Sequence, residues 1–226
     1  MRIRFKKWAR PELEASKFYI DEPEKYKGKW NSLFNSPAPL HIELGCGKGS
    51  FISQLACKNS NINYIAIDLV DAMLGLAKRN IESAYKEENK EVHNVYITRY
   101  DIDRILNIFD ENDKVERIYI NFCNPWPRGK HHKKRLTHSR QLEKYKTFLT
   151  NGGEIYFKTD DDNLFSDSIS YFKDTGFKIE KMTYNLAEEK DFWNGESNIE
   201  TEHEKMFTEQ GIKIKALIAK RNSTRD

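Results

Sequence analysis

Seven short segments rich in apolar and β-branched residues are separated along the chain by stretches with helical spacing. In those stretches apolar residues recur every three or four positions, as at Phe165, Ile169 and Phe172. Strands that alternate with helices of about 10–15 residues form right-handed βαβ units with a mostly parallel sheet. The strands predicted in this way are 40–44, 64–68, 95–100, 117–122, 154–158, 178–184 and 212–219.

The last two predicted strands differ from the others because no clear helix lies between them. A polar stretch, residues 185–210, joins them, so we predict an antiparallel pair at the edge of the sheet. No repeat, low-complexity linker or domain boundary interrupts the pattern, and a chain of 226 residues is of the size of one domain. We therefore predict a single α/β domain over residues 1–226, with an N-terminal extension at 1–35 and a core at 36–226.

Positive charge is concentrated in two short runs. Lys and Arg exceed Asp and Glu by only three, yet residues 1–10 hold five cations and residues 128–140 hold six, with no acid in either run. Without those eleven charges the rest of the chain has a net charge of −8. Phe5, Trp8 and Trp126 lie beside the runs. Basic runs next to aromatic side chains favour nucleic acid as the partner, although a basic run can also be a solvated face.

Composition also bears on the compartment. No run approaches the ~18 consecutive apolar residues of a membrane span, and the basic N-terminus lacks the apolar region of a secretion signal. Cys46, Cys57 and Cys123 include no C-x-x-C pair, which favours reduced thiols. We expect a cytoplasmic protein without membrane contact.

The first predicted strand leads directly into the turn Gly45-Cys-Gly47-Lys-Gly49 and then into a helix. Such a turn places a ligand at the carboxyl end of a sheet. The glycines of a dinucleotide fingerprint fall at offsets 0, 2 and 5, whereas these fall at 0, 2 and 4, and Glu43 precedes them. The pattern E-x-G-x-G-x-G resembles the first motif of the class I S-adenosylmethionine-dependent methyltransferases. The ammonium group of that ligand suits an acid beside the turn, where a phosphate would be repelled.

Two further acids follow predicted strands. Asp68 ends the second strand, 25 residues after Glu43, which is about the distance at which an acid accepts hydrogen bonds from ribose hydroxyls. Asp101 follows the third strand, where this fold usually contacts the adenine amino group. Each could instead cap a turn or a helix, and Glu43 could be a solvated carboxylate. Because the glycine turn is present, we predict cofactor contact for all three.

The fourth predicted strand ends in Asn124-Pro-Trp-Pro127, and the second basic run begins at once. Trp126 occupies the third position, so the segment does not match the Asn-Pro-Pro-aromatic loop of enzymes that methylate exocyclic amines. Together with the glycine turn, Phe157-Lys-Thr-Asp160 and Thr201-Glu-His-Glu204, the segment resembles the bacterial tRNA (guanine-N7)-methyltransferases, which modify guanine 46 in the variable loop. The motifs come in family order and span nearly the whole chain.

This resemblance implies a class I methyltransferase (Rossmann-like) fold, with helices on both faces of a seven-stranded, mostly parallel sheet. It also implies S-adenosyl-L-methionine as cofactor and N7 of guanine 46 in tRNA as the methyl acceptor. The implied cofactor contacts are Glu43, Gly45, Gly47, Gly49, Asp68, Asp101 and Asn124, with Asn124 also the candidate catalytic residue. The implied contacts to the substrate nucleotide are Arg128, Asp160, Thr201, Glu202, His203 and Glu204. From the basic run we predict that Lys130, Lys133, Lys134 and Arg135 contact the RNA backbone.

The chain departs from the family at three of these positions. The family usually has Asp, commonly called catalytic, where Asn124 stands, Lys where Arg128 stands and Tyr where His203 stands. Guanine N7 has a free lone pair and no proton, so its methylation requires no general base. An Asn carbonyl can still accept a hydrogen bond from the purine, and the lost charge is worth about 1 kcal/mol, which a neighbouring acid could supply. We hypothesise that Asn124 is a permissive replacement in an active enzyme; it could also cap a Pro turn.

Two other functions stay open, a non-catalytic tRNA-binding relative inactivated by Asn124 and a Rossmann-type dehydrogenase. Thr201 could begin a helix as its cap, and so could the acids that follow Thr159. We predict no metal site at His131 and His132, because the adjacent cations would repel a metal ion. The sequence leaves open whether the protein is a monomer or a homodimer.

Overall fold

The computed structural model of the protein describes residues 5–222, so Arg2 and Arg4 of the first basic run lie outside the described residues. Contacts divide the chain into two compact units, Met1–Asp113 and Lys114–Asp226. The helices in the described range are α1 (Ala9–Glu14), α2 (Ser50–Lys58), α3 (Asp71–Glu87), α4 (Ser139–Phe148), α5 (Asp162–Asp174) and α6 (Glu202–Glu209). The strands are β1 (Tyr19–Ile20), β2 (Leu40–Leu44), β3 (Asn63–Asp68), β4 (Val95–Arg99), β5 (Val115–Asn121), β6 (Leu149–Thr159), β7 (Phe177–Thr183) and β8 (Lys215–Arg221).

The first unit is built on parallel strands in the order β1-β4-β3-β2. All five residues of β2 are buried, as expected of a parallel strand covered on both faces, and they include the polar residues His41 and Glu43. α2 and α3 pack against each other. Their buried residues recur with helical spacing, for example Leu74, Ala77 and Ile81 on α3. The two-residue strand β1 was not predicted and raises the strand count of the described residues from seven to eight.

The predicted N-terminal extension is packed onto the first unit through α1. A Cβ on Gly75 of α3 would lie 2.7 Å from the ring of Trp8, so only glycine allows this close approach. The Arg79 guanidinium lies 3.9 Å from the centre of the Trp8 ring and pairs through two nitrogens with Glu12, at 3.0 and 2.6 Å. These contacts fix the orientation of α1 on α3.

Arg10, one of the cations predicted to hold phosphate, is engaged inside the first unit. Its Nε donates to Glu14 at 2.7 Å, one terminal nitrogen donates to the Tyr19 hydroxyl at 3.0 Å, and the other donates to Asp21. Arg10 therefore already has three hydrogen-bond acceptors within the protein.

The second unit has the strand order β5-β6-β8-β7. β5 and β6 are parallel, whereas β8 is antiparallel to both β6 and β7. The predicted antiparallel C-terminal pair is therefore confirmed, with β7 at the edge and β8 inside. The expectation that no helix separates these two strands was wrong, because α6 lies between them in sequence. No helix within residues 5–222 is long and apolar enough to cross a membrane.

Candidate active site

The glycine turn after β2 contains glycines with two different surroundings. Gly45, Gly47 and Gly49 have φ angles of 77°, 53° and 71°, in the left-handed region that glycine adopts without steric cost. A Cβ on Gly49 would lie 2.7 Å from the Ala77 Cβ, whereas a Cβ on Gly47 would meet no atom within 4 Å. Gly49 thus lets the turn approach α3 closely, and Gly47 borders open space where a ligand could approach the backbone.

Asp68, the last residue of β3, holds this turn in place. Its carboxylate accepts hydrogen bonds from the N–H of Gly47 at 3.0 Å and the N–H of Val70 at 2.9 Å. Burial raises the pKa of the Asp68 carboxyl, and these N–H groups counteract the rise. The side chain is only partly exposed. It is therefore positioned at the end of the strand, next to Gly47, which borders open space.

Glu43 is 2% exposed, so the alternative of a solvated carboxylate was wrong. Burial raises the pKa of the Cys46 thiol, and the carboxylates of Asp68 and Glu43 raise it further. The carboxylates of Asp68 and Glu43 thus lie near the turn. Their negative charge attracts a ligand with an ammonium group, they can accept hydrogen bonds from hydroxyl groups, and they would repel a phosphate. The turn in the first unit fits the amino-acid and ribose ends of S-adenosylmethionine.

Asp101 follows β4 and is exposed. Its Oδ1 accepts a hydrogen bond from the Asp103 N–H at 3.0 Å, so the residue caps the 3₁₀ helix Ile102–Asn107. The capping alternative is therefore confirmed. Contact between Asp101 and a cofactor stays a prediction.

The turn that follows β5 in the second unit has an unusual backbone. Phe122 and Trp126 have φ angles of 51° and 43°; such left-handed residues cost about 1–2 kcal/mol each when they are not glycine. Strain of this kind concentrates at functional sites. Asn124 is exposed, and its Oδ1 accepts the Trp126 N–H at 3.0 Å. Asn124 thus caps the turn, as one of the alternatives predicted, and a carbonyl oxygen has a second lone pair for a ligand donor.

Arg135 does not have the surroundings that were predicted for it. Its side chain is only 1% exposed; its Nε donates to the Pro125 carbonyl at 2.7 Å, and a terminal nitrogen donates to Asp167 on α5. A guanidinium with these partners is not available to an RNA phosphate, so the predicted backbone contact was wrong for Arg135. The physical reason is that its counter-charge comes from α5, which lies outside the acid-free run.

The other cations of the second run are on the surface. Arg128, Lys130, Lys133, Lys134 and Arg140 are exposed, and the first four of them lie on or beside the 3₁₀ helix Gly129–Lys134. The Lys134 ammonium lies 5.0 Å from the centre of the Trp126 ring, within the range of a cation–π contact. Arg128, Lys130, Lys133 and Lys134 thus follow the turn as exposed positive charges that an anion can reach.

Asp160 follows β6 and is not the residue that caps α5. That role belongs to Asp161, whose Oδ1 accepts the Leu164 N–H at 2.6 Å. Burial raises the pKa of the Cys123 thiol to about 12, and the carboxylate of Asp160 contributes to the rise. Asp160 therefore lies within electrostatic range of Cys123, the residue before Asn124.

Glu204 is paired within the protein. It is 5% exposed, and its two carboxylate oxygens accept from the Lys158 ammonium at 2.7 Å and the Asn198 amide at 2.6 Å. Thr201 is the N-cap of α6, because its hydroxyl accepts the Glu204 N–H at 3.0 Å. The two residues therefore anchor α6, and contact of Glu204 with a substrate nucleotide stays a prediction. Thr201 is 6% exposed, so the capping alternative is confirmed.

Glu202 and His203 are exposed on the first turn of α6. The His203 ring stacks on the Phe122 ring, with centroids 5.9 Å apart and planes 19° from parallel.

Sequence reasoning did not include Phe122 or Lys158 in the site. A signal existed for Lys158, since a charged residue inside an otherwise apolar strand must be paired when the strand is buried. The described residues contain no group of three or more His, Cys, Asp or Glu that could hold a metal ion.

Comparison with known proteins agrees with these features. A family model described as "Putative methyltransferase" matches residues 37–217. A tRNA (guanine-N(7)-)-methyltransferase of Clostridium botulinum (strain Eklund 17B / Type B) is 58% identical over 219 residues, which cover 97% of this chain and 98% of the relative. One from Clostridium beijerinckii is 56% identical over 223 residues, covering 99% and 100%.

Among solved structures, the 16S rRNA methyltransferase KamB superposes with a TM-score of 0.62 at 13% identity, over 86% of this chain and 93% of that one. A structure described as an antibiotic-related methyltransferase gives 0.59 at 18%, with the same coverage. At such identities the likeness shows the fold alone, and it confirms the predicted α/β class I methyltransferase fold. The matched motifs and the near-complete coverage of the clostridial relatives show that the chain belongs to the tRNA (guanine-N(7)-)-methyltransferase family.

Proposed function

We propose that this protein transfers a methyl group from S-adenosyl-L-methionine to N7 of guanine in tRNA, at position 46 of the variable loop. The observation that carries the proposal is the 58% identity to a tRNA (guanine-N(7)-)-methyltransferase over 97% of this chain. The exposed cations around the Asn124 turn support an RNA substrate, and the glycine spacing and the family match leave no support for a dehydrogenase. A tRNA substrate supports a cytoplasmic location for the protein, and the choice between a monomer and a homodimer stays open.

In the first unit, the residues that would hold the donor are those of the glycine turn together with Glu43, Asp68 and Asp101; contact of Asn124 with the donor stays a prediction. Gly47 leaves space for a ligand against the backbone. Asp68, fixed by two backbone N–H groups, would accept hydrogen bonds from ribose hydroxyls. When bound, the cofactor supplies an electrophilic methyl group on a sulfonium.

The chain's own task in this reaction is positioning. Guanine N7 has a lone pair and no proton, so no residue needs to remove one. The site must orient N7 at near-attack distance, ~3–3.5 Å, and stabilise the cationic base that forms. Asn124 presents a carbonyl oxygen beside the turn, and Asp160 supplies a carboxylate close to the same turn. We assign these two acceptors to the donor groups of the purine.

The remaining substrate contacts fall to exposed side chains. Arg128, Lys130, Lys133 and Lys134 would neutralise phosphates. Glu202 and His203 are the members of the family motif on α6 that are exposed, and we keep them as contacts to the nucleotide. Trp126 would stack on a base, a contact worth about 1–3 kcal/mol.

Mapping of modified nucleosides tests the function. Unmodified tRNA transcripts are incubated with the protein and the cofactor, digested and analysed by mass spectrometry. We expect 7-methylguanosine in a fragment that contains guanine 46, and none in a transcript with adenine at that position. Methylation at another atom or another site would contradict the proposal.

A second candidate, a tRNA-binding relative without activity, is favoured by the replacement of the usual Asp with Asn124. Both candidates bind tRNA, so binding does not separate them. Incorporation of methyl groups does: no product from the wild type, together with recovery in Asn124→Asp, would establish the inactive relative.

A further inference from the structure

A single peptide group in the Asn124 turn is held from both of its ends. The carbonyl of Pro125 accepts the Arg135 Nε–H at 2.7 Å, and the N–H of the same peptide, that of Trp126, donates to Asn124 Oδ1 at 3.0 Å. A peptide group is planar and rigid. Any rotation that moves its carbonyl therefore also moves the N–H that orients the Asn124 side chain.

Arg135 is itself fixed. Its side chain is 1% exposed, and a buried guanidinium needs a counter-charge; Asp167 on α5 supplies it as a hydrogen-bonded partner. The planar guanidinium can bond two acceptors in different directions at once, which a lysine ammonium on its flexible stem does less well. Arg135 thus connects a rigid helix to a strained turn.

We propose that Arg135 is a positioning residue for Asn124: anchored by Asp167, it sets the plane of the Pro125–Trp126 peptide and thereby the direction of the Asn124 amide. This inference rests on the proposed function, in which Asn124 contacts the purine. It replaces the phosphate contact predicted for Arg135 with a role inside the protein.

The test compares Arg135→Met and Arg135→Lys with a matched control, Thr137→Val. Thr137 lies two residues further along, and its buried hydroxyl lies 2.6 Å from that of Ser168 on α5. The control therefore weakens the contact between the same segment and the same helix without touching the turn. Each variant is assayed for kcat and KM with tRNA, for the salt dependence of tRNA binding and for the affinity for S-adenosylhomocysteine.

We expect Arg135→Met to lower kcat roughly ten- to a hundredfold, the range of a small misplacement of reacting groups. The salt slope and the affinity for S-adenosylhomocysteine should stay within error of the wild type. Arg135→Lys keeps the charge but cannot bond the Pro125 carbonyl and Asp167 with the same geometry, so its kcat should also be far below that of the wild type. Thr137→Val should keep kcat within about twofold and should leave the ¹⁵N–¹H signal of the Trp126 indole in place, whereas Arg135→Met shifts it.

Two results would overturn the proposal. A smaller salt slope with an unchanged kcat in Arg135→Met, restored in Arg135→Lys, would make Arg135 a phosphate contact. An equal loss of kcat in Thr137→Val would make its role merely structural. Should Arg135→Met not fold, Arg135→Lys and Asp167→Asn give the same test, the latter with a smaller selective loss of kcat.

Failure of the proposed function is recognised separately. If the wild type forms no 7-methylguanosine, the function is wrong whatever the variants do. The Trp126 signal then still reports whether Arg135 controls the turn, because it does not depend on turnover.

Discussion

At the scale of single residues, the two glycines that follow Cys46 allow a test of which positions face the donor. Gly49→Ala combines a left-handed φ with a Cβ at 2.7 Å from Ala77, so we expect it to lower the free energy of unfolding by about 2–4 kcal/mol. Gly47→Ala meets no neighbour and should cost only about 1–2 kcal/mol. Denaturant unfolding of the two variants measures this difference.

For binding of S-adenosylhomocysteine, we expect Gly47→Ala to have a larger effect than Gly49→Ala. The methyl group of Gly47→Ala would project into the space assigned to the donor, so calorimetry should show an affinity for S-adenosylhomocysteine at least about tenfold below that of the wild type. An unchanged affinity in Gly47→Ala would show that the donor does not approach the turn there.

Asn124 gives a second prediction at this scale. Asp at this position can still accept the Trp126 N–H, and its charge would stabilise the cationic methylated base. A gain of about 1 kcal/mol for a charged acceptor corresponds to about a fivefold rise in kcat, which a single-turnover assay of methyl transfer measures. Asn124→Ala, which lacks any acceptor, is the control and should fall below the wild type. A lower rate in Asn124→Asp would contradict this role.

At the scale of elements, the position of α6 depends on a buried ion pair. Lys158 on β6 is 2% exposed, and its ammonium donates to Glu204 and to the carbonyl of Ile199. Removing one partner leaves the other charge buried without compensation, which costs about 3–5 kcal/mol. We therefore expect Glu204→Gln to lower the free energy of unfolding by that amount.

Exposed Glu209 on the same helix supplies the control, and Glu209→Gln should change stability by less than about 0.5 kcal/mol. A double variant that adds Lys158→Met to Glu204→Gln should be more stable than Glu204→Gln alone, because it removes the uncompensated charge. If the double variant is the least stable of the set, the ion pair does not explain the burial of these side chains.

The elements also show how far the sequence predicted the fold. β2 was predicted with the bounds it has, since Leu40, Ile42 and Leu44 alternate with polar residues between a Pro-rich segment and a glycine turn, which is a strong strand signal. β6 begins at Leu149 and not at 154, because Gly152 and Gly153 have the composition of a turn yet lie within the strand. α6 has a single buried residue, Glu204, which is charged, so no apolar period marked the helix.

The site was predicted in part, for a related reason. The glycine turn and the acid at the end of the next strand are local patterns, and both were found. The roles of Arg135 and Glu204 depend on partners far along the chain: Asp167 is 32 residues from Arg135, and Lys158 is 46 residues from Glu204. Residue type alone cannot separate a surface cation that binds phosphate from one that is buried with a distant acid.

At the scale of the whole molecule, the distribution of charge matters more than its total. A net charge of +3 gives little general attraction to RNA, whereas exposed cations gathered at one turn can neutralise several phosphates together. Each neutralised phosphate changes the slope of log binding constant against log salt by about 0.7–0.9. We therefore expect the combined replacement of Lys130, Lys133 and Lys134 by Ala to reduce the slope by about 2–3, with the affinity for S-adenosylhomocysteine unchanged.

A second triple variant separates placement from total charge. It replaces three exposed lysines of the second unit that lie outside the run, namely Lys173, Lys178 and Lys213. Both triple variants lower the formal net charge from +3 to zero, so an effect of net charge alone would appear equally in both. Counterion release requires direct contact with phosphates, and the control should therefore keep the slope of the wild type. Equal slopes in the two variants, measured by tRNA binding across a salt series, would mean that the run beside Trp126 faces solvent and that tRNA is held by another surface.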